Sequence, residues 1–143
     1  MTASLVYKGD LLCELTHERS GTRIITDAPI DNKGNGSAFS PTDLVTAAAA
    51  SCIITTLGIA AQTRGWNFDG TMMEIVKDMV NGPRRIAAIN IHVHFPGNFS
   101  AEDRDSVQRI AMSCPVLVSL SPDVKKNVTF SFPDGTTLTG EPV

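Results

Sequence analysis

The sequence predicts one domain of mixed helix and strand, spanning residues 1–143, and three observations carry that reading. Its length of 143 residues is close to one domain's worth, enough to bury about 68–70% of the surface that the unfolded chain exposes. Short strand-like runs broken by polar turns recur near both ends. Between them lies a stretch of about twenty residues without a formal charge, Leu44 to Thr63, opened by a helix-capping signal.

Composition narrows the class. Hydrophobic residues make up 42% and charged residues 19%, and mean hydropathy is +0.03, so neither a disordered nor a fibrous chain is expected. A net charge of −3, with no basic block, excludes a nucleic-acid binder working through bulk electrostatics. The start, MTASLVYKGDLL, lacks a basic segment followed by an apolar run, so no signal peptide is read and a cytoplasmic location with reduced thiols is expected. Cys13, Cys52 and Cys114 contain no CxxC, which excludes a disulfide framework and a zinc ribbon.

In order along the chain, Ser4–Tyr7, Leu11–Thr16 and Arg23–Thr26 read as strands of a small antiparallel meander, with turns at Lys8-Gly9-Asp10 and Arg19-Ser20-Gly21. A polar loop, residues 28–37, follows and supplies no apolar anchor. Ser40-Pro41-Thr42-Asp43 then gives an N-cap serine, a proline at N1 and an acidic residue at N3. The spacing predicts a helix from Pro41 to Arg64, stopped by Gly65. Its apolar residues go nearly all round, which predicts burial on most sides. A membrane span is not read here, because Ala, Thr and Ser contribute little to insertion. Cover on the remaining faces is expected from a second copy in a two-fold dimer, or else from the second helix.

Thr71–Val80 and Arg84–Phe95 read as strands joined at Asn81-Gly82-Pro83. In the second, Ala87, Ile89, Ile91, Val93 and Phe95 face one way and Asn90, His92 and His94 the other. Ser100-Ala101-Glu102-Asp103 starts a second helix with Val107, Ile110, Ala111 and Cys114 on its apolar face, interrupted at Pro115 and continuing through Val116–Leu120. Asn127–Phe132 is the last predicted strand, and Pro133–Val143 a tail or an edge extension.

Candidates for chemistry are few. Cys52 sits mid-way along the apolar helix, where a cysteine is either a small core hydrophobe or a reactive thiol. Cys114 precedes a proline that opens the helix and leaves nearby carbonyls without their usual partners. Two helix-borne thiols so far apart act together only if the fold brings them together. His92 and His94 have a chelating spacing but no third ligand nearby in sequence, so no metal is expected there. Cys13 has no assigned role.

Taken in order, Ser40-Pro41-Thr42-Asp43-Leu44 leading through an alanine run to Ser51-Cys52, Gly65-Trp66, Pro83-Arg84-Arg85-Ile86 and Cys114-Pro115-Val116 resemble the OsmC/Ohr family of thiol peroxidases, closest to its OsmC-like branch. The similarity runs from about Thr16 to Phe132. The resemblance implies an α+β fold with antiparallel sheets packed on two long central helices, in an intertwined homodimer. It also implies a redox pair, with Cys52 attacking a hydroperoxide and Cys114 resolving, reset by a dithiol reductant such as a lipoylated protein. No cofactor, nucleic acid or membrane partner is implied.

The family pairs its thiolate with an acidic residue and an arginine. Here Thr42 stands ten residues before Cys52 with Asp43 beside it, and Arg19 and Arg23 are the arginines available. Asp43, Arg23 and Arg19 are therefore candidate supporting groups. A different class of function, a non-enzymatic protein holding a small apolar ligand with its cysteines as packing residues, is the alternative.

Overall fold

The structure, a computed structural model, describes residues 1–140. Its elements are β1 (Ala3–Gly9), β2 (Leu12–His17), β3 (Arg23–Thr26), a single 3₁₀ turn (Ile30–Asn32), α1 (Pro41–Arg64), β4 (Met72–Val80), β5 (Arg85–His94), α2 (Ala101–Met112), α3 (Pro115–Ser119), β6 (Lys125–Ser131) and β7 (Thr137–Thr139). They form two compact units, Met1–Val45 and Thr46–Val143.

In the first unit, β1, β2 and β3 pair in sequence order as an antiparallel sheet. The first turn falls later than predicted, because Asp10 and Leu11 both take left-handed backbone (φ 49° and 65°) and so leave the ladder, and β2 begins at Leu12. The polar loop is closed by a buried carboxylate. Asp27 accepts hydrogen bonds from the Ser37 N–H (2.9 Å) and hydroxyl (2.7 Å), and these hold its carboxyl below the ordinary 3.8. Glycine is required at position 34, since a Cβ there would lie 1.7 Å from the Ala28 carbonyl oxygen.

Helix α1 has the bounds that the sequence predicts. Ser40 and Asp43 cap it reciprocally: the Asp43 N–H donates to Ser40 Oγ (3.1 Å) and the Ser40 N–H to the Asp43 carboxylate (2.8 Å). Gly65, at φ 68°, ends it in the left-handed region where a side chain would be strained.

The second unit holds a four-stranded sheet in the order β4-β5-β6-β7. Strands β4 and β5 form the expected hairpin, and β6 and β7 are antiparallel. Strands β5 and β6 run parallel, and the crossover that parallel pairing needs contains α2 and α3. A bulge corrects the predicted alternation. Asp78 pairs with Ala88 and Met79 with Ile86, so Ala87 is skipped and Ile86 packs against the core in its place, while Ile89, Ile91, Val93 and Phe95 point inward as expected. The expected edge extension forms as β7; the end of the predicted tail, residues 141–143, lies outside the described residues.

A second correction concerns α2. It stops at Met112, capped by Ser113, so Cys114 lies off its face and begins a separate helix. A residue before proline is pushed out of helical backbone, and Cys114 is extended (φ −61°, ψ 138°) with Pro115 at the first helical position.

The core of this unit is one cluster. Ile53 and Leu57 of α1 join Ile89 and Val93 of β5, Val107 and Ala111 of α2, Leu117 of α3 and Phe130 of β6. Arg104 from α2 covers one side, lying 4.5 Å from the Phe132 ring centroid and pairing with Asp134, whose carboxyl is thereby lowered to about 2. On α1, Thr46, Ala49, Ala50, Ile53 and Leu57 make the buried stripe, while Ala48, Ser51, Thr55, Gly58 and Ile59 are exposed. Only 28% of the helix's most apolar 18-residue window is buried, so α2 and the sheet cover one side of α1 and leave the other open. By length and by its mean hydropathy of 2.0 that window would also suffice to cross a membrane.

Leu57 is completely buried. Leu57→Ala should therefore destabilise the fold by about 2–5 kcal/mol, read as a lower urea midpoint at unchanged slope.

Candidate active site: a paired thiol in the helical core

Sequence separation alone leaves open whether Cys52 and Cys114 meet; the fold brings them together. Helix α1 carries Cys52 one position before the buried Ile53, so its thiol lies at the edge of the buried stripe and is half-buried. Cys114 is fully buried at the joint between α2 and α3. The two side chains are within hydrogen-bonding reach of one another.

The break at Pro115 gives Cys114 a particular environment. As the N-cap of α3 its sulfur accepts a hydrogen bond from the Leu117 N–H at 3.4 Å, so the neighbour that matters is a donor rather than an orphaned carbonyl. A proline at the first helical position makes the preceding residue the N-cap, and that sequence signal could have located this contact.

Burial, ahead of every other influence, pushes the Cys114 thiol up from 9.0 to about 11, and the hydrogen bond and charge interaction with Cys52 push the same way. The Leu117 N–H opposes them and is outweighed. At neutral pH Cys114 therefore holds its proton and can donate it toward the Cys52 sulfur. This arrangement sets a protonated thiol beside Cys52, and it allows a disulfide to close between the two once one sulfur becomes electrophilic.

The other predicted site residues lie as follows. The Asp43 carboxylate takes part in the α1 cap through the Ser40 N–H. Arg23 is exposed on β3 and pairs with Glu14 on β2 at 3.7 Å. Arg19 is exposed in the turn after β2. Cys13, half-buried on β2, is flanked in the ladder by Tyr7 and Thr26. His92 and His94 share one face of β5, with ring centroids 3.9 Å apart.

No curated protein matches the chain. A solved structure from Psychrobacter arcticus 273-4, provisionally described as an osmotic stress induced and detoxification response protein, is 38% identical and superposes with a TM-score of 0.88, over 91% of this chain and 95% of that one. An organic hydroperoxide resistance protein OsmC from Legionella pneumophila shares the fold at 16% identity and a TM-score of 0.72, over 92% of this chain and 97% of that one. A third, an organic hydroperoxide resistance protein from Elizabethkingia anophelis, also has 16% identity and a TM-score of 0.72, over 92% and 96% of the two chains. The model of the OsmC-like protein family matches residues 34–129, a segment that contains both Cys52 and Cys114. The chain belongs to the OsmC-like protein family and has its α+β fold.

Proposed function

We propose that this protein is a cysteine-based peroxidase that reduces organic hydroperoxides or hydrogen peroxide through Cys52 and Cys114. The contact between a half-buried thiol on α1 and a fully buried, proton-retaining thiol at the α2–α3 joint carries the reading. Membership of a family that includes hydroperoxide resistance proteins supports it at the level of the role.

The Cys52 thiolate attacks the terminal peroxide oxygen; an S–O bond forms, the O–O bond breaks, and the alkoxide or hydroxide leaves with a proton. Cys52 is then a sulfenic acid, oxidised by two electrons. The Cys114 sulfur attacks it, forming the Cys52–Cys114 disulfide and releasing water. A dithiol reductant, a lipoylated protein among the candidates, restores both thiols and is itself oxidised to a disulfide. Asp43 and one of Arg23 and Arg19 are proposed as supporting groups for the thiolate. The setting is the cytoplasm, where thiols stay reduced between turnovers.

The working unit in this proposal is a homodimer. Its support is the side of α1 that the chain leaves open, small-residue-rich and with Ile59 64% exposed. Light scattering on the purified protein should give twice the mass of the 15.3 kDa chain, and a monomer would remove the dimer from the proposal.

Mass spectrometry after stoichiometric organic hydroperoxide or hydrogen peroxide tests the chemistry. The wild type should show a Cys52–Cys114 disulfide, and Cys114→Ser a sulfenic adduct on Cys52. Oxidation scattered over all three cysteines, or a Cys52 that resists alkylation until denaturation, would favour the non-enzymatic ligand-binding alternative.

Cys114 also gives a pH test. Its folded value of about 11 exceeds the ordinary 9.0, so its contribution to stability is fully present below pH 9 and is lost as pH rises through 11, where the unfolded chain has already released the proton. In a Cys13→Ser background, Cys52→Ala removes the hydrogen bond and charge from Cys52, and the Cys114 midpoint followed by thiolate absorbance should move down from about 11. An unmoved midpoint would mean the two sulfurs do not interact.

A further inference from the structure

The polar face of the β4–β5 hairpin carries a cluster that the peroxidase proposal does not use. Sequence spacing reveals His92 and His94 but no third ligand, because the third comes from the neighbouring strand. Glu74 on β4 is the direct ladder partner of His92, and its side chain rises on the same face. The Glu74 Oε2 lies 3.9 Å from His92 Nδ1 and 3.6 Å from His94 Nε2. One donor atom from each of the three residues falls within 4.8 Å of the others.

We propose that Glu74, His92 and His94 form a binding site for a divalent transition-metal ion, with zinc as the fitting probe. A tetrahedral zinc with bonds of about 2.0–2.1 Å holds its ligand atoms about 3.3–3.4 Å apart, so closing the observed carboxylate–imidazole separations takes a few tenths of an ångström. Two imidazoles and one carboxylate suit zinc and its neighbours in the first transition row rather than calcium or magnesium, which demand oxygen.

A further contact orients the set. His92 Nε2 hydrogen-bonds the Ser131 hydroxyl on β6, the strand parallel to β5. Nε2 is engaged by Ser131, which leaves Nδ1, the nitrogen that faces Glu74, as the one available to the ion; with the ion on Nδ1, Nε2 would carry the proton and donate to Ser131. The three residues rest on adjacent strands of one sheet, so their backbone positions are fixed by ladder pairing rather than by a loop. Glu74 and His92 also line a groove of about 220 Å³ with Val76, Asn90, Asn127 and Thr129, which leaves room for water or an exogenous ligand at the open coordination position.

The test uses the full chain, stripped with chelator and titrated with zinc. One ion per chain should bind and raise Tm with zinc concentration. His94→Ala and Glu74→Gln should abolish the rise; the second, at an exposed side chain, guards against a folding defect in the first. Ser131→Ala should weaken affinity by about 10–100-fold, as loss of an orienting hydrogen bond does. Cobalt separates this site from the thiols, and a spectrum of nitrogen and oxygen ligation without a thiolate charge-transfer band is expected. No zinc uptake, binding unchanged in both His94→Ala and Glu74→Gln, or a thiolate band would each overturn the proposal. Failure here leaves the dithiol chemistry untouched, since Cys52 and Cys114 are not among the ligands.

Discussion

Helix α1 is the member on which the second unit depends. Its sequence, rich in alanine and threonine with isoleucines interspersed, supplies only moderate helix propensity, and a helix of its length draws most of its stability from packing. The packing is a single stripe. Ile53 and Leu57 are fully enclosed, each worth about 1.5–3 kcal/mol on removal from water, and they meet side chains from β5, β6, α2 and α3 in one cluster. Small residues at positions 49 and 50 let neighbouring elements approach closely, and Cys52 rides at the edge of that contact. The position of the first thiol thus follows from which side of α1 is buried.

The second thiol is placed by a different constraint, the steric demand of proline. A continuous helix through Cys114 would have presented its sulfur as one more apolar group on a helical face. Pro115 instead forces the preceding residue into extended backbone and starts a new helix, turning Cys114 into an N-cap. Burial then weakens its acidity, while the Leu117 N–H gives the sulfur a donor that opposes the shift. A thiol that keeps its proton beside one nearer the surface is a division of labour set by depth, against the pull of one peptide N–H.

The same sheet that buries Ile89, Ile91 and Val93 on one face displays His92 and His94 on the other, because a strand alternates its side chains. Antiparallel pairing with β4 then sets Glu74 opposite them, and parallel pairing with β6 brings Ser131 behind. The inward residues answer to the core, whereas the outward ones are free to carry polar chemistry. That is why the dithiol and the histidine cluster are built on different elements of one unit.

Local signals in the chain determined a good deal. The cap at Ser40–Asp43 and the glycine at 65 delimited α1 from end to end, since both act through backbone geometry within a few residues. The turn at Asn81-Gly82-Pro83 fixed the hairpin, and the ordered motifs identified the family. Tertiary structure decided what depends on partners distant in sequence. The bulge that exchanges Ala87 for Ile86 on the core face arises from pairing with β4, and the closure of the polar loop rests on a buried Asp27 reaching Ser37. Glu74 became visible as a neighbour of the histidines only through strand register, and the meeting of Cys52 with Cys114 only through the packing of α1 against the α2–α3 joint. Sequence alone nominated the two cysteines as chemical species; their proximity, and the hold of Cys114 on its proton, belong to the folded core, because desolvation is set by everything packed around a group and not by its neighbours along the chain.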